Sequence, residues 1–209
     1  MTRSIRAAAV LAAAFTLGAC ADLSTGPDAA LLGPDTVLER PDRAAGAQRA
    51  PAPGAESIAE IAIAATQAEE SQFNELVGAL LYVDAELGAG LVDLFLNGTD
   101  QFTVFAPTDE AFAGLYEFLG IGGITELPPE LVLDVLLYHV VEGRRAANSV
   151  VPPVRNRTIE TLLGATFSVT PQAQINDIFG QTGTIVAPNI SASNGIIHLI
   201  DTVILPLEG

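Results

Sequence analysis

The sequence predicts an α+β fold: a single domain whose helical first half packs on a later β-sheet. Three observations predict it. Apolar residues recur at spacings of three and four as far as about residue 140, and alternate with polar ones beyond about residue 165. Glycine and proline punctuate these runs. Of 209 residues, 49% are apolar and 16% charged, which supplies one sizeable core and excludes a mainly disordered chain.

The elements follow in order. Ser57-Ile58-Ala59-Glu60 reads as a capping box, with Ile58, Ile61, Ala62 and Ala65 recurring at helical spacing behind it. Ser71 opens a second helix with Phe73, Leu76, Val77 and Leu80 on one face. A third is expected over Leu87–Leu96, ended by Asn97-Gly98 with Gly98 in the left-handed cap position. Phe102–Phe105 is a short strand stopped by Ala106-Pro107. Thr108 caps the next helix, with Asp109 and Glu110 at its positive end and Phe112, Leu115, Tyr116 and Leu119 on its inner face. Pro128-Pro129 opens a helix that is apolar round most of its girth and is expected to be buried as far as Gly143, with Arg144-Arg145 at its negative end. Then Ala165, Phe167 and Val169 alternate with Thr166, Ser168 and Thr170 as a half-exposed strand. Ser193-Asn194-Gly195 turns between Thr184–Ala187 and a last strand, Ile196–Leu205. Both faces of that last run are apolar, so it is expected at the centre of the sheet.

The first residues read as an export address. Arg3 and Arg6 precede the apolar run Ala7–Leu17, and Leu17-Gly18-Ala19-Cys20 resembles the bacterial lipoprotein box. The run is too short to span a membrane, which takes about 20 apolar residues. The resemblance implies cleavage before Cys20, the only cysteine, and its acylation. The chain therefore divides into a signal peptide (1–19), an acylated Cys20 with an Ala/Pro/Gly-rich linker (20–55), the folded domain (56–206) and a short tail (207–209). Ala21 after the cysteine, in place of Asp, fits the outer membrane if the cell is Gram-negative.

Charge narrows the partners. Nine bases, all arginine, stand against 25 acids, a net charge of −16. Loss of residues 1–19 removes two arginines and no acid, and moves it to −18. No basic footprint for nucleic acid is present. An acidic excess of this size can attract divalent cations weakly, but a generally solvated acidic surface is the better explanation.

Three segments resemble the fasciclin-domain family. Thr103-Val104-Phe105-Ala106-Pro107-Thr108-Asp109-Glu110-Ala111-Phe112 is similar to the family's opening signature, and Leu137-Tyr138-His139-Val140-Val141 to its tyrosine–histidine segment. Asn194-Gly195-Ile196-Ile197-His198-Leu199-Ile200-Asp201 through Pro206 is similar to its closing signature. The resemblance, over about Glu56–Pro206, implies a twisted β-wedge of two sheets packed against helices. It also implies an extracellular module assigned to adhesion and matrix interaction. In some animal members the tyrosine–histidine segment is proposed to contact receptors, which makes Tyr138 and His139, with Leu136, Leu137, Val140 and Val141 around them, the candidate interaction residues. Thr103, Phe105, Ala106, Pro107, Asp109, Phe112, Asn194, Gly195, His198, Asp201 and Pro206 carry the other signatures and are read as structural.

Catalysis finds little support. There is no Gly-x-Ser-x-Gly, no His-Glu-x-x-His and no phosphate loop. His139 and His198, the only histidines, sit in apolar stripes and read as hydrogen-bonded core residues rather than as a metal pair or a general base. Asp201 among aliphatic residues is expected to anchor a backbone amide. Asn97, Asn156 and Asn189 begin glycosylation sequons that read as chance in a bacterial chain. The expected function is a lipid-anchored envelope or cell-surface module, non-catalytic and without cofactor or metal, that binds a protein or polysaccharide. The alternatives are a periplasmic small-ligand carrier or sensor and, more remotely, a hydrolase.

Overall fold

The computed structural model describes residues 52–68 and 71–206. The expected signal peptide, Cys20, most of the linker and the tail 207–209 lie outside the described residues. The elements run α1 (Ile58–Thr66), α2 (Asn74–Leu87), α3 (Leu91–Asn97), β1 (Phe102–Pro107), α4 (Asp109–Leu119), a 3₁₀ turn (Ile124–Glu126), α5 (Pro129–Tyr138), β2 (Val140–Glu142), α6 (Ala147–Val150), β3 (Arg157–Glu160), β4 (Thr166–Val169), β5 (Gln174–Asn176), β6 (Thr182–Ala192) and β7 (Gly195–Ile200). The fold is α+β.

Seven strands pair in the order β2-β1-β7-β6-β5-β4-β3. All neighbours are antiparallel except β1 and β7, which run parallel with Phe102 opposite Gly195 and Pro107 opposite Ile200. β6 joins two halves. Its first residues pair with β5 and its later ones with β7, with register shifts between Ile185 and Ala187 and between Ala187 and Ile190. Such bulges bend a strand and let it serve both halves of a wedge.

Two apolar cores result. One gathers α1–α5 against a face of β1 and β7, through Phe73, Leu76, Phe112, Leu136, Ile197 and Leu199. The other lies within the wedge: Phe105, Tyr138, Val141, Phe167, Ile175, Ile200 and Ile204. Alternate residues of β7 thus serve different cores, and all six of its residues are buried.

The local chemistry explains most boundaries. The Ser57 side chain accepts from the Glu60 amide and Glu60 returns a bond to the Ser57 amide, a complete capping box. Thr108 caps α4 by accepting from the Ala111 amide. Several expectations change. The second helix begins at Asn74, not at Ser71, and its N-cap position Phe73 carries no side-chain cap. The third helix begins at Leu91, because Gly88 and Gly90 take the left-handed conformation (φ 62° and 70°) and end α2 before it. Gly98 is extended (φ −63°) rather than left-handed; glycine is needed there because a Cβ would lie 2.2 Å from the Leu94 carbonyl oxygen. The helix begun by Pro129 ends at Tyr138, not Gly143: the branched Val140 and Val141 join β1 as a strand. The last strand ends at Ile200, not Leu205, and Asp201 is exposed.

The expected boundary between residues 55 and 56 falls inside a docked segment. The Gly54 amide donates to the Ala192 carbonyl at 3.2 Å, and the Ser193 amide to the Glu56 carbonyl at 2.7 Å.

Candidate functional site

The tyrosine–histidine segment forms the corner where α5 turns into β2. Proline in the first turn starts α5, and just past Tyr138 the chain is already strand. The corner is interior. Tyr138 and Val141 are 0% exposed, His139 3%, Val140 4% and Leu136 7%; of the six candidate residues only Leu137 is half-buried. The Tyr138 hydroxyl donates to the Thr166 carbonyl at 2.9 Å and its ring meets Phe167 edge-on at 5.9 Å. Burial pushes its pKa up to about 12. A partner could reach these side chains only if the corner opened.

The two histidines are engaged on both nitrogens. His139 Nδ1 lies 2.7 Å from the Val135 carbonyl, so it carries the proton, and Nε2 accepts from the Ile204 amide at 3.2 Å. His198 is the opposite tautomer: Nε2 donates to the Arg145 carbonyl at 2.9 Å and Nδ1 accepts from the Asn189 amide at 3.2 Å. Burial holds the pKa of His139 down to about 4 and lowers that of His198 as well. A second proton on either ring would face a backbone N–H, so both are fixed as neutral connectors. They do not meet. His139 borders the helical core, whereas His198 packs on Phe105 at 5.5 Å in the wedge.

The remaining signature residues also hold backbone. Thr103 Oγ1 donates to the Gly143 carbonyl at 2.6 Å and accepts from the Arg145 amide at 2.8 Å. Phe105 is fully buried and meets Phe167 edge-on at 5.0 Å. Ala106 and Pro107 next to it and Phe112 on α4 are buried too, and Pro206 is half-buried. Asp109, at the start of α4, also caps α2: its carboxylate accepts from the Glu75 amide at 2.9 Å and from Asn74 Nδ2 at 3.0 Å. Asn194 accepts from the Ile58 amide at 2.9 Å and donates to the Phe95 carbonyl at 2.7 Å, pinning α1 and α3 to the β6–β7 turn. At Gly195 a Cβ would lie 2.2 Å from the Phe102 carbonyl oxygen. Asp201 accepts from the Thr184 amide at 2.6 Å and tethers the chain leaving β7 to β6.

Sequence reasoning missed Arg144. Placed by pattern at a helix end, it instead reaches the β6–β7 hairpin. It donates from Nη1 to the carbonyls of Ala192 (2.8 Å) and Gly195 (2.5 Å), and from Nη2 to that of Ala52 (3.3 Å). Local sequence carries no signal for a contact with carbonyls this far along the chain. Asp84, which caps α3 through the Leu91 and Val92 amides, was missed likewise; its position before the Gly88–Gly90 break was the available clue.

Two apolar cavities flank Leu76, Leu136 and His139, of about 40 and 90 Å³. Sites for drug-sized ligands run to several hundred Å³ and offer a few convergent polar groups. The polar atoms of His139 are already taken, so these spaces suit at most a very small apolar guest. Among the described residues no three His, Cys, Asp or Glu side chains converge to hold a metal ion, and no helix is long and apolar enough to cross a membrane.

Comparison with known proteins agrees with this architecture. The family model for the fasciclin domain matches residues 71–206. The uncharacterized protein sll1735 of Synechocystis sp. is 35% identical over 153 residues, 71% of this chain and 97% of that protein. The immunogenic protein MPB70 of Mycobacterium bovis is 36% identical over 118 residues, 56% of this chain and 54% of that one. The cell surface glycolipoprotein MPB83 of the same species is 31% identical over 118 residues, 56% of this chain and 48% of its own. With buried signatures on the paired strands β1 and β7, a buried tyrosine–histidine corner beside them and the family model spanning nearly all of the described residues, the chain belongs to the fasciclin-domain family.

Proposed function

We propose that this chain is an exported, lipid-anchored surface module that binds a protein or polysaccharide partner and has no catalytic role. The observation that carries the non-catalytic part is the use of its chemistry: both histidines, Asp109, Asn194 and Asp201 are occupied with backbone groups. The Leu17–Cys20 box supports the anchor, and a relative described as a cell surface glycolipoprotein supports the location. Residues 20–51 supply the tether in this reading, and residues 52–206 the working body. Tyr138–Val141 holds the α5–β2 corner, and contact with a partner falls to the exterior. The small cavities give the ligand-carrier reading no comparable support.

Two measurements test the proposal. Metabolic labelling with an alkyne fatty acid should mark the wild-type chain and not Cys20→Ala; labelling of neither removes the anchor. The purified chain should bind saturably to intact cells of its own species or to their surface polysaccharide, with and without calcium. Binding no better than that of an unrelated acidic lipoprotein removes the adhesive role.

A further inference from the structure

Charge is segregated along this fold. Residues 50–143 contain sixteen acids and no arginine or lysine. All four arginines of the described residues lie between Arg144 and Arg157, and no acid occurs from Gly143 to Ile159. Arg144 is committed to the β6–β7 hairpin and Arg145 is half-buried. The one exposed arginine among them is therefore Arg155, with the half-buried Arg157 two residues on, at the loop between α6 and β3.

That loop is a supported projection. Val150, Pro152 and Ile159 are buried and fix its base, while Pro153, Val154, Arg155 and Asn156 are exposed. Two consecutive prolines restrict its backbone. Val154 at the apex is 78% exposed, the most exposed large aliphatic or aromatic side chain of the described residues. Arg157 folds back to donate to the Ser149 carbonyl, which places its guanidinium beside the loop. Residues 152–157 enclose an open concavity between these side chains.

We propose that the Pro152–Arg157 tip docks on an anionic phospholipid surface, with Val154 entering the interface and Arg155 and Arg157 on lipid phosphates. Charge complementarity supplies the attraction, and the acidic helical half is repelled by the same surface, so the tip is the end presented to it. The aliphatic apex decides between lipid and an acidic polymer. Val154 gains from burial at the acyl boundary and gains nothing against a hydrated chain. The proposal takes access to a membrane from the surface location above; the reporter is read only on chain that floats with the vesicles, so failure of the anchor and failure of the tip are told apart.

The chain contains no tryptophan, so Val154→Trp makes a unique reporter. The full chain would be reconstituted on vesicles of phosphatidylcholine alone and on vesicles that also contain phosphatidylglycerol. Emission from the Val154→Trp reporter should shift to the blue and resist acrylamide only on the anionic vesicles, and high salt should reverse this. A Phe118→Trp reporter on acidic α4 should stay accessible on both. At about 1 kcal/mol per arginine near the surface, adding Arg155→Gln and Arg157→Gln should lower the docking equilibrium about thirtyfold. Arg155→Gln alone, which leaves the Arg157–Ser149 contact in place, should lower it about fivefold. Equal quenching of the Val154→Trp reporter on both vesicles overturns the proposal. So does shielding of that reporter by dextran sulfate in solution when anionic vesicles leave it exposed.

Discussion

His139 joins three parts of the molecule with one ring: the last turn of α5, the turn into β2 and the chain after β7. Its ordinary pKa of 6.5 falls to about 4 because burial penalises the imidazolium. Below pH 6.5 the unfolded chain therefore binds more protons than the folded one. The contribution is whole above pH 6.5 and is lost as pH falls towards 4, with His198 adding in the same direction. The shift corresponds to about 3 kcal/mol. Urea midpoints should drop between pH 7 and pH 4.5, and His139→Gln should flatten that dependence; a slope unchanged by the substitution would place the acid sensitivity elsewhere. Asn194 is a second connector of this kind. Asn194→Ala leaves the Ile58 amide and the Phe95 carbonyl unpaired inside the protein and should cost about 3 kcal/mol in equilibrium unfolding.

Elements are placed here by side chains that belong to other elements. The N-terminus of α2 begins at Phe73 with no side-chain cap of its own; Asp109 provides it from the start of α4. Asp109→Ala should therefore loosen two helices and cost about 2 kcal/mol, and hydrogen exchange should rise at Glu75 as well as in the first turn of α4. Protection unchanged at Glu75 would show that the cap is not needed. Parallel pairing of β1 with β7 depends on Gly195, where a methyl group would collide with the Phe102 carbonyl. Gly195→Ala should cost more than about 3 kcal/mol and shift the amide resonances of both strands together. The capping box of α1, the Thr108 cap of α4, the proline start of α5 and the amphipathic faces of these helices were legible in the sequence because they are local. The α2–α3 break and the strand β2 were not, because helical periodicity continues through Leu87 and Val140, and only pairing with β1 and the left-handed glycines decide against it.

At the scale of the whole molecule, the segment 52–56 belongs to the body through the hairpin and Arg144, although its Pro/Gly composition matches a linker. A chain shortened to begin at Ser57 should melt below one that begins at Ala44, by about 1–2 kcal/mol for the bonds removed, and Arg144→Ala should narrow that difference without abolishing it, because the backbone bonds of Gly54 and Glu56 to the hairpin remain. The same scale shows the charge asymmetry that a single net figure conceals. Acids dominate the helical layer, and the arginines gather beside the wedge.

The sequence by itself determined the α+β class, most helices, the caps Ser57 and Thr108, the half-exposed β4, the central position of β7 and the three family signatures. These depend on periodicity, capping chemistry and short motifs, all of which act within a few residues. Only the tertiary structure decided what the signatures do. The sequence reads His139 and His198 as hydrogen-bonded core residues and Tyr138 and His139 as candidate contacts, but only the structure names the groups that satisfy their polar atoms, among them Thr166, Ile204, Arg145 and Asn189. Those partners lie 9 to 65 residues away along the chain. Burial and hydrogen-bond satisfaction at such separations are set by the packing of two cores on one sheet, which no local pattern contains.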